Sequence, residues 1–222
     1  MNSLIAIGLV WSRYFAVFRK NLSYTLMTTF VEPILYLLSF GFGVGSMVGD
    51  LHAGGTTVSY RAFVLAGIVG QTVLMQGFFD AAYGAFVRMY YQKIFQAIAV
   101  TPVTLSEVLW GELIWCASRA TLSASAVLLI GVAIGDFNPW GALALLPLCF
   151  LFSLIFSALG LFFAAKAETI ESINYPQYLF VFPMFLFCGV FFPMTNLPGA
   201  FVHFAFFLPL TPVLSLSRTL TL

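Results

Sequence analysis

Five apolar stretches, each long enough or nearly long enough to cross a bilayer, follow one another in this chain with only short connections. A spanning helix needs roughly 20 apolar residues at about 1.5 Å of rise each. The stretches cover residues 24–48, 63–79, 108–134, 140–165 and 178–192, most of the 222-residue chain. That leaves room for one membrane domain and no soluble one. With 61% hydrophobic and 8% charged residues against the quarter or so charged in soluble domains, a water-soluble fold could not bury the apolar surface. The stretches are continuously apolar, whereas barrel strands alternate. Strands are therefore not expected, and the fold class is an all-α membrane protein, a polytopic helical bundle.

The first residues are no signal peptide, because Arg13, Arg19 and Lys20 follow the apolar part instead of preceding it. Residues 3–20 read as an amphipathic helix on the membrane surface, with Leu9, Trp11, Phe15 and Phe18 supplying apolar area. With this end in the cytoplasm, Arg13, Arg19, Lys20, Arg88, Lys93 and Lys166 fall inside, and Arg61 and Arg218 outside. That distribution obeys the positive-inside rule, and the inverse violates it. A net charge of +1 leaves no nucleic-acid footprint. Cys116, Cys149 and Cys188 lie within apolar segments, which suits small buried side chains and not a disulfide framework.

The first span ends in Gly41, Gly45 and Gly49, a small-residue ridge that permits close helix approach. Packing within the chain and packing against a second subunit are both consistent with it. An outer loop over 50–60 leads to the second span, expected to end near Asp80. The cytoplasmic stretch after it mixes Arg88, Gln92, Lys93 and Gln96 with apolar residues. Arg88, Gln92 and Gln96 recur every four positions, which predicts one polar stripe on a surface-lying helix that Thr101-Pro102 then ends. Such a stripe suits a soluble partner, or equally the lipid headgroups. Pro183 interrupts the fifth span, and Pro193, Pro198, Pro209 and Pro212 break the chain beyond it. The tail therefore reads as two short re-entrant or interfacial helices on the outer side, with a sixth span absent or truncated. The expected organisation is a surface helix over 1–23, five spans over 24–192 and the re-entrant segment over 193–222.

Ionisable groups inside apolar spans are costly, which makes each a functional candidate. Glu32 and Arg119 lie at similar depth by helical rise, so a Glu32–Arg119 pair is geometrically possible. Glu112 sits two turns before Arg119 on the same face. The three either pair structurally or border a polar pathway. No phosphate-binding loop and no His-Glu-x-x-His occur, and His52 and His203 stand alone. The chain thus offers no catalytic, cofactor-binding or metal-binding set.

Several stretches together resemble the ABC-2 type transporter permeases, and most closely the branch that exports lipo-oligosaccharide nodulation signals. They are Glu32-Pro33-Ile34-Leu35-Tyr36 with the glycines after it; Tyr60-Arg61-Ala62-Phe63 with Ala66-Gly67; 92–102 and 109–119; and the tail 189–198 with Phe207-Leu208-Pro209-Leu210-Thr211. The resemblance implies a bacterial inner-membrane half-transporter. A homodimer of the permease would work with two copies of a separate ABC-type ATPase, and the substrate would be amphipathic: a lipo-oligosaccharide, a lipid-linked polysaccharide or a hydrophobic drug. The coupling role would fall on Arg88, Gln92, Lys93 and Gln96. The contrasting reading is an ion-coupled secondary carrier using Glu32, Arg119 and Glu112, although the paired broken helices typical of such carriers have no second copy here. A membrane scaffold without transport is a third.

Overall fold

A computed structural model of the chain describes residues 2–48, 50–53, 56–194 and 198–222. Helix α1 (Ser3–Lys20) is followed by α2, which runs from Leu22–Tyr36 through a π-type segment, Leu37–Val44, to Gly45–Val48. Strands β1 (Asp50–Ala53) and β2 (Thr56–Ser59) pair antiparallel, Asp50 opposite Ser59 and Ala53 opposite Thr56. The expectation of no strands is corrected to this extent: the 50–60 loop is a small hairpin, whose Thr and Val content favours extended backbone.

Helix α3 covers Tyr60–Tyr91. The Ser59 hydroxyl caps it by accepting from the Ala62 N–H at 3.2 Å. It does not end near Asp80. Two π-type segments, Asp80–Gly84 and Val87–Tyr91, carry it on for almost three more turns. Lys93 then adopts a left-handed conformation (φ 53°), and the short α4 (Ile94–Ala99) leaves in a new direction. Helix α5 (Leu105–Ile134) starts on a reciprocal cap, in which Thr104 and Glu107 each satisfy the other's backbone N–H. Helix α6 (Pro139–Lys166) begins at a proline held by the Asn138 cap.

Beyond α6, helix α7 is assembled from Asn174–Pro176, a π-type turn Gln177–Val181, and Phe182–Phe187. Helices α8 (Gly199–Phe207) and α9 (Leu210–Thr221) come last. The bent pair Phe201–Phe207 and Leu210–Thr221 meets at 87°.

Three helices, α3, α5 and α6, are long and apolar enough to cross a membrane, and up to four if the bent pair counts as one span. The expected first span contains a shorter apolar helix, Thr29–Val44. The expected fifth begins earlier than predicted and stops at Phe187, where the chain turns through Gly189 (φ 81°).

Helix α3 is the axis of the bundle. Its apolar window is 78% buried, against 44% for α5 and 33% for α6. Crossing between α3 and α6 is close: a Cβ on Gly160 would sit 2.5 Å from the Phe78 carbonyl oxygen, and the Ser157 hydroxyl donates to the Gly77 carbonyl at 3.1 Å. Small residues let helix backbones approach where lipid gives no hydrophobic drive to associate. The opposite side of α6 exposes Leu143, Leu151, Ile155 and Phe162, as a lipid-facing surface would. Helix α9 packs on α3 and α6, and its Ser217 donates to the Ala66 carbonyl at 3.0 Å. Cys116, Cys149 and Cys188 are all free and buried.

Candidate functional site

Because α3 continues past Asp80, it carries two charged side chains, Asp80 and Arg88, two turns apart on the face turned to α5. Gly84 lies between them. A Cβ there would come within 2.8 Å of Arg88 Nη2 and 2.9 Å of Asp80 Oδ1, so this position leaves the pair its space. Arg88 Nη2 donates to Glu112 Oε1 on α5 and to the Asp80 carbonyl at 3.2 Å. It also lies 3.9 Å from Asp80 Oδ1. Arg119, two turns after Glu112, donates from Nη1 to Asp80 Oδ1 at 2.9 Å.

Two cations and two anions therefore interlock between two spanning helices. The Glu112 side chain is 0% exposed and that of Arg88 15%. An isolated charge at such a site would be strongly disfavoured, and mutual pairing makes the burial tolerable. Three atoms of the network, Asp80 Oδ2, Arg88 Nε and Glu112 Oε2, are buried without a hydrogen-bond partner in this arrangement.

Helix α1 covers the network. Val10 packs where Gly111 leaves room on α5, and the Trp11 indole N–H donates to Ser118 at 3.3 Å. Trp115 makes edge contacts with Trp11 and Phe18. Tyr14 lies beneath the Arg88 guanidinium, 5.3 Å from the ring centroid, in cation–π geometry. Burial first, and then the nearby Glu112 carboxylate, raise the Tyr14 phenol above its ordinary pKa, so it stays neutral. A cleft of about 490 Å³ opens beside these groups, with Arg13, Tyr14, Arg88, Gln92 and Arg119 on its wall.

A second ion pair closes the other end of the bundle. Arg61, in the first turn of α3, donates to both carboxylate oxygens of Asp136 at 2.6 and 2.7 Å. Nearby, the Arg218 guanidinium of α9 sits 3.7 Å from the Phe63 ring centroid and donates to the Gly189 carbonyl at 2.5 Å.

The profile of the ABC-2 type transporter family matches residues 5–222. The chain belongs to that family. Nodulation protein J of Bradyrhizobium diazoefficiens is 33% identical over 96% of this chain and 80% of its own length. Nodulation protein J of Rhizobium meliloti is 32% identical with the same coverage. A more distant relative, the inner membrane transport permease YadH of Escherichia coli, is 24% identical over 87% of this chain and 74% of its own. No solved structure matches.

In this ABC-2 family member Arg119 does not make the pair that depth alone allowed. Arg119 pairs with Asp80, not Glu32. Similar depth allowed the Glu32 pairing, but a carboxylate on the continuing α3 helix reaches Arg119 instead. Glu32 is exposed on α2 and borders two clefts, one apolar along α2 and one that Gln71, Gln76 and Gln177 also line. Glu112 and Arg119 do share a face, and Asp80 and Arg88 link them.

The single polar stripe is also corrected. Arg88 turns inward, whereas Gln92, Lys93 and Gln96 are exposed. The left-handed backbone at Lys93 separates Gln96 from the helix that carries Arg88. Gly41 and Gly45 face the start of α3: a Cβ on the first would lie 3.4 Å from Arg61 Cγ, and one on the second 3.5 Å from Tyr60 Cδ1. Gly49 lies outside the described residues. Asp80, Arg61 and Asp136 do not stand out as partners from sequence. The Asp80–Gly84–Arg88 spacing, one residue per helical turn, is the signal that marks Asp80.

Proposed function

We propose that this chain is the membrane permease subunit of an ATP-driven exporter, and that the charge network of Asp80, Arg88, Glu112 and Arg119 couples it to a separate ATPase. One observation carries the reading. The network lies directly before the helix break at Lys93, from which the short α4 projects with Lys93 and Gln96 exposed. A soluble subunit pushing on α4 would act on a lever whose inner end is Arg88. Three buried polar atoms of the network keep spare hydrogen-bonding capacity, which allows a second pairing arrangement at modest cost. A bistable element of this kind turns a local push into a helix movement.

Relatives named as a nodulation protein and as an inner membrane transport permease support export across a bacterial inner membrane. The cytoplasmic assignment of the α1 end rests on Arg13, Arg19, Lys20, Lys93 and Lys166, all carried by segments at that end. In this reading α2 and α7 complete five spans. The 12-residue α9, which rises only about 18 Å, belongs with α8 to an outer re-entrant segment. Residues 1–222 then form one membrane domain, which acts as a homodimer with two ATPase copies. The substrate is amphipathic.

The test is purification from the native host in mild detergent, with mass spectrometry of what accompanies the chain. The exporter reading expects a nucleotide-binding ATPase that is lost in Lys93→Glu. A preparation without any ATPase under gentle crosslinking would favour an ion-coupled carrier instead.

A further inference from the structure

The cleft of about 490 Å³ beside Arg88 carries an arginine from each of three helices: Arg13 of α1, Arg88 of α3 and Arg119 of α5. No Asp or Glu lines it among the described residues. Asp80 and Glu112 stand behind its wall and are already matched to Arg88 and Arg119. Arg13 pairs with no carboxylate among the described residues. Its guanidinium lies 5.5 Å from the Tyr14 ring centroid, and that of Arg88 lies 5.3 Å from the same centroid. Two cations thus share one ring, and only one of them has an anion of its own. The cleft is left with an excess positive charge. Lys20, two turns beyond Arg13 on α1, and Lys93, between the lining residues Gln92 and Ile94, add to it.

Donors remain to be used. A guanidinium has five N–H groups, and Asp80 takes one of those of Arg119, whose side chain is a third exposed. Asn21 and Gln92 add neutral amides to the lining. Forked guanidinium donors with amides beside them suit the oxygens of a phosphate.

Depth and surroundings decide which phosphate. The part of α3 that lines the cleft, Tyr83 to Gln92, lies roughly 35–48 Å along the helix from Tyr60. That is past a hydrocarbon core about 30 Å thick, at the level of the headgroups. Val17, Phe18 and Ile94 give the cleft an apolar wall, and Phe15, Val17, Leu22 and Met27 are exposed on α1 and α2 beside it. A soluble phosphate would use the arginines and none of this apolar surface. A phospholipid uses both, and basic pockets between membrane helices are where anionic headgroups bind.

We infer that this cleft holds the phosphodiester of an anionic phospholipid from the surrounding leaflet. Arg13 and Arg119 take the phosphate, Asn21 and Gln92 the glycerol head, and the acyl chains lie against the exposed apolar residues of α1 and α2. The site depends on Arg13, which is outside the buried network, and it stands whether or not that network couples to an ATPase.

The purified chain in phosphatidylcholine nanodiscs, at constant ionic strength, is photolabelled with a trace of phosphatidylglycerol that carries a diazirine near the glycerol. Peptide mapping is expected to place the label within residues 13–25 and 83–94. Labelling is expected to fall at least fivefold in Arg13→Gln and to be unchanged in Arg19→Gln. Both arginines are exposed on α1, but Arg19 does not line the cleft, and an unchanged elution profile checks folding.

Equal losses in the two variants would overturn the proposal in favour of general attraction to a basic surface. Equal labelling by a phosphatidylcholine probe would overturn it by removing the selectivity for an anionic head. Displacement of the label by inorganic phosphate would make the site one for a soluble phosphate compound. Loss of the label when a co-purifying ATPase is added back would give the cleft to that protein, and either result would also overturn the proposal. Labelling as predicted in a chain that never engages an ATPase would keep the lipid site and remove the exporter reading, so the two fail separately.

Discussion

Arg88 on α3 donates to Glu112 on α5 in the interior of the bundle, and Glu112 has no solvent exposure at all. The same guanidinium lies over the Tyr14 ring of α1. One side chain thus ties together the axial helix α3, its neighbour α5 and the N-terminal helix α1.

Removing one partner of a buried ion pair strands the other, at a cost of about 3–5 kcal/mol. Glu112→Leu is therefore expected to lower the thermal midpoint of the purified protein strongly. Arg88→Leu combined with Glu112→Leu should recover much of the loss, because no charge is left unpaired between them. Fluorescence-detected size exclusion after a heating series reads both.

Arg119 is a third exposed, and Asp80 retains Arg88 at 3.9 Å when Arg119 is gone. Arg119→Gln is expected to cost about 1 kcal/mol or less in stability, clearly below Glu112→Leu in the same assay. A loss equal to that of Glu112→Leu would mean that Arg119, not Arg88, carries the network.

Gly84 has space for no side chain: even a methyl group would press on Arg88 and Asp80. Gly84→Val is expected to destabilise by about 1–3 kcal/mol through overpacking. Combining it with Arg88→Leu should add less than the sum, since the clash is with that side chain.

At the other end, Arg61 and Asp136 form a bidentate pair that joins the first turn of α3 to the α5–α6 turn. Asp136→Ala is expected to lower the thermal midpoint, and the exchange Arg61→Asp with Asp136→Arg to restore part of it. The proposed docking surface on α4 lies at the opposite end of the bundle from this pair, so ATPase binding should be unchanged in a pull-down.

Much of the architecture was legible because spans must be long and continuously apolar. The 108–134 and 140–165 stretches became α5 and α6 with ends within a few residues of prediction. Asp80 misled because an acidic residue after an apolar run resembles a span end. Here its charge is matched by Arg88 and Arg119, so the helix continues. Pairing partners were not legible from depth alone, since rise per residue fixes height and not direction around the axis. The Lys93 break was invisible for a related reason: a left-handed non-glycine residue leaves no mark in hydrophobic periodicity.

The most direct test of the proposed coupling is co-reconstitution of this permease and the ATPase that co-purifies with it in vesicles, with ATP hydrolysis and outward transport of an amphipathic reporter measured side by side. The variant is Arg88→Leu combined with Glu112→Leu, which keeps the α4 surface intact. The account predicts that the complex still forms and hydrolyses ATP while export falls at least tenfold. Export at the wild-type rate in that variant would contradict it, leaving the buried charges with a structural role only.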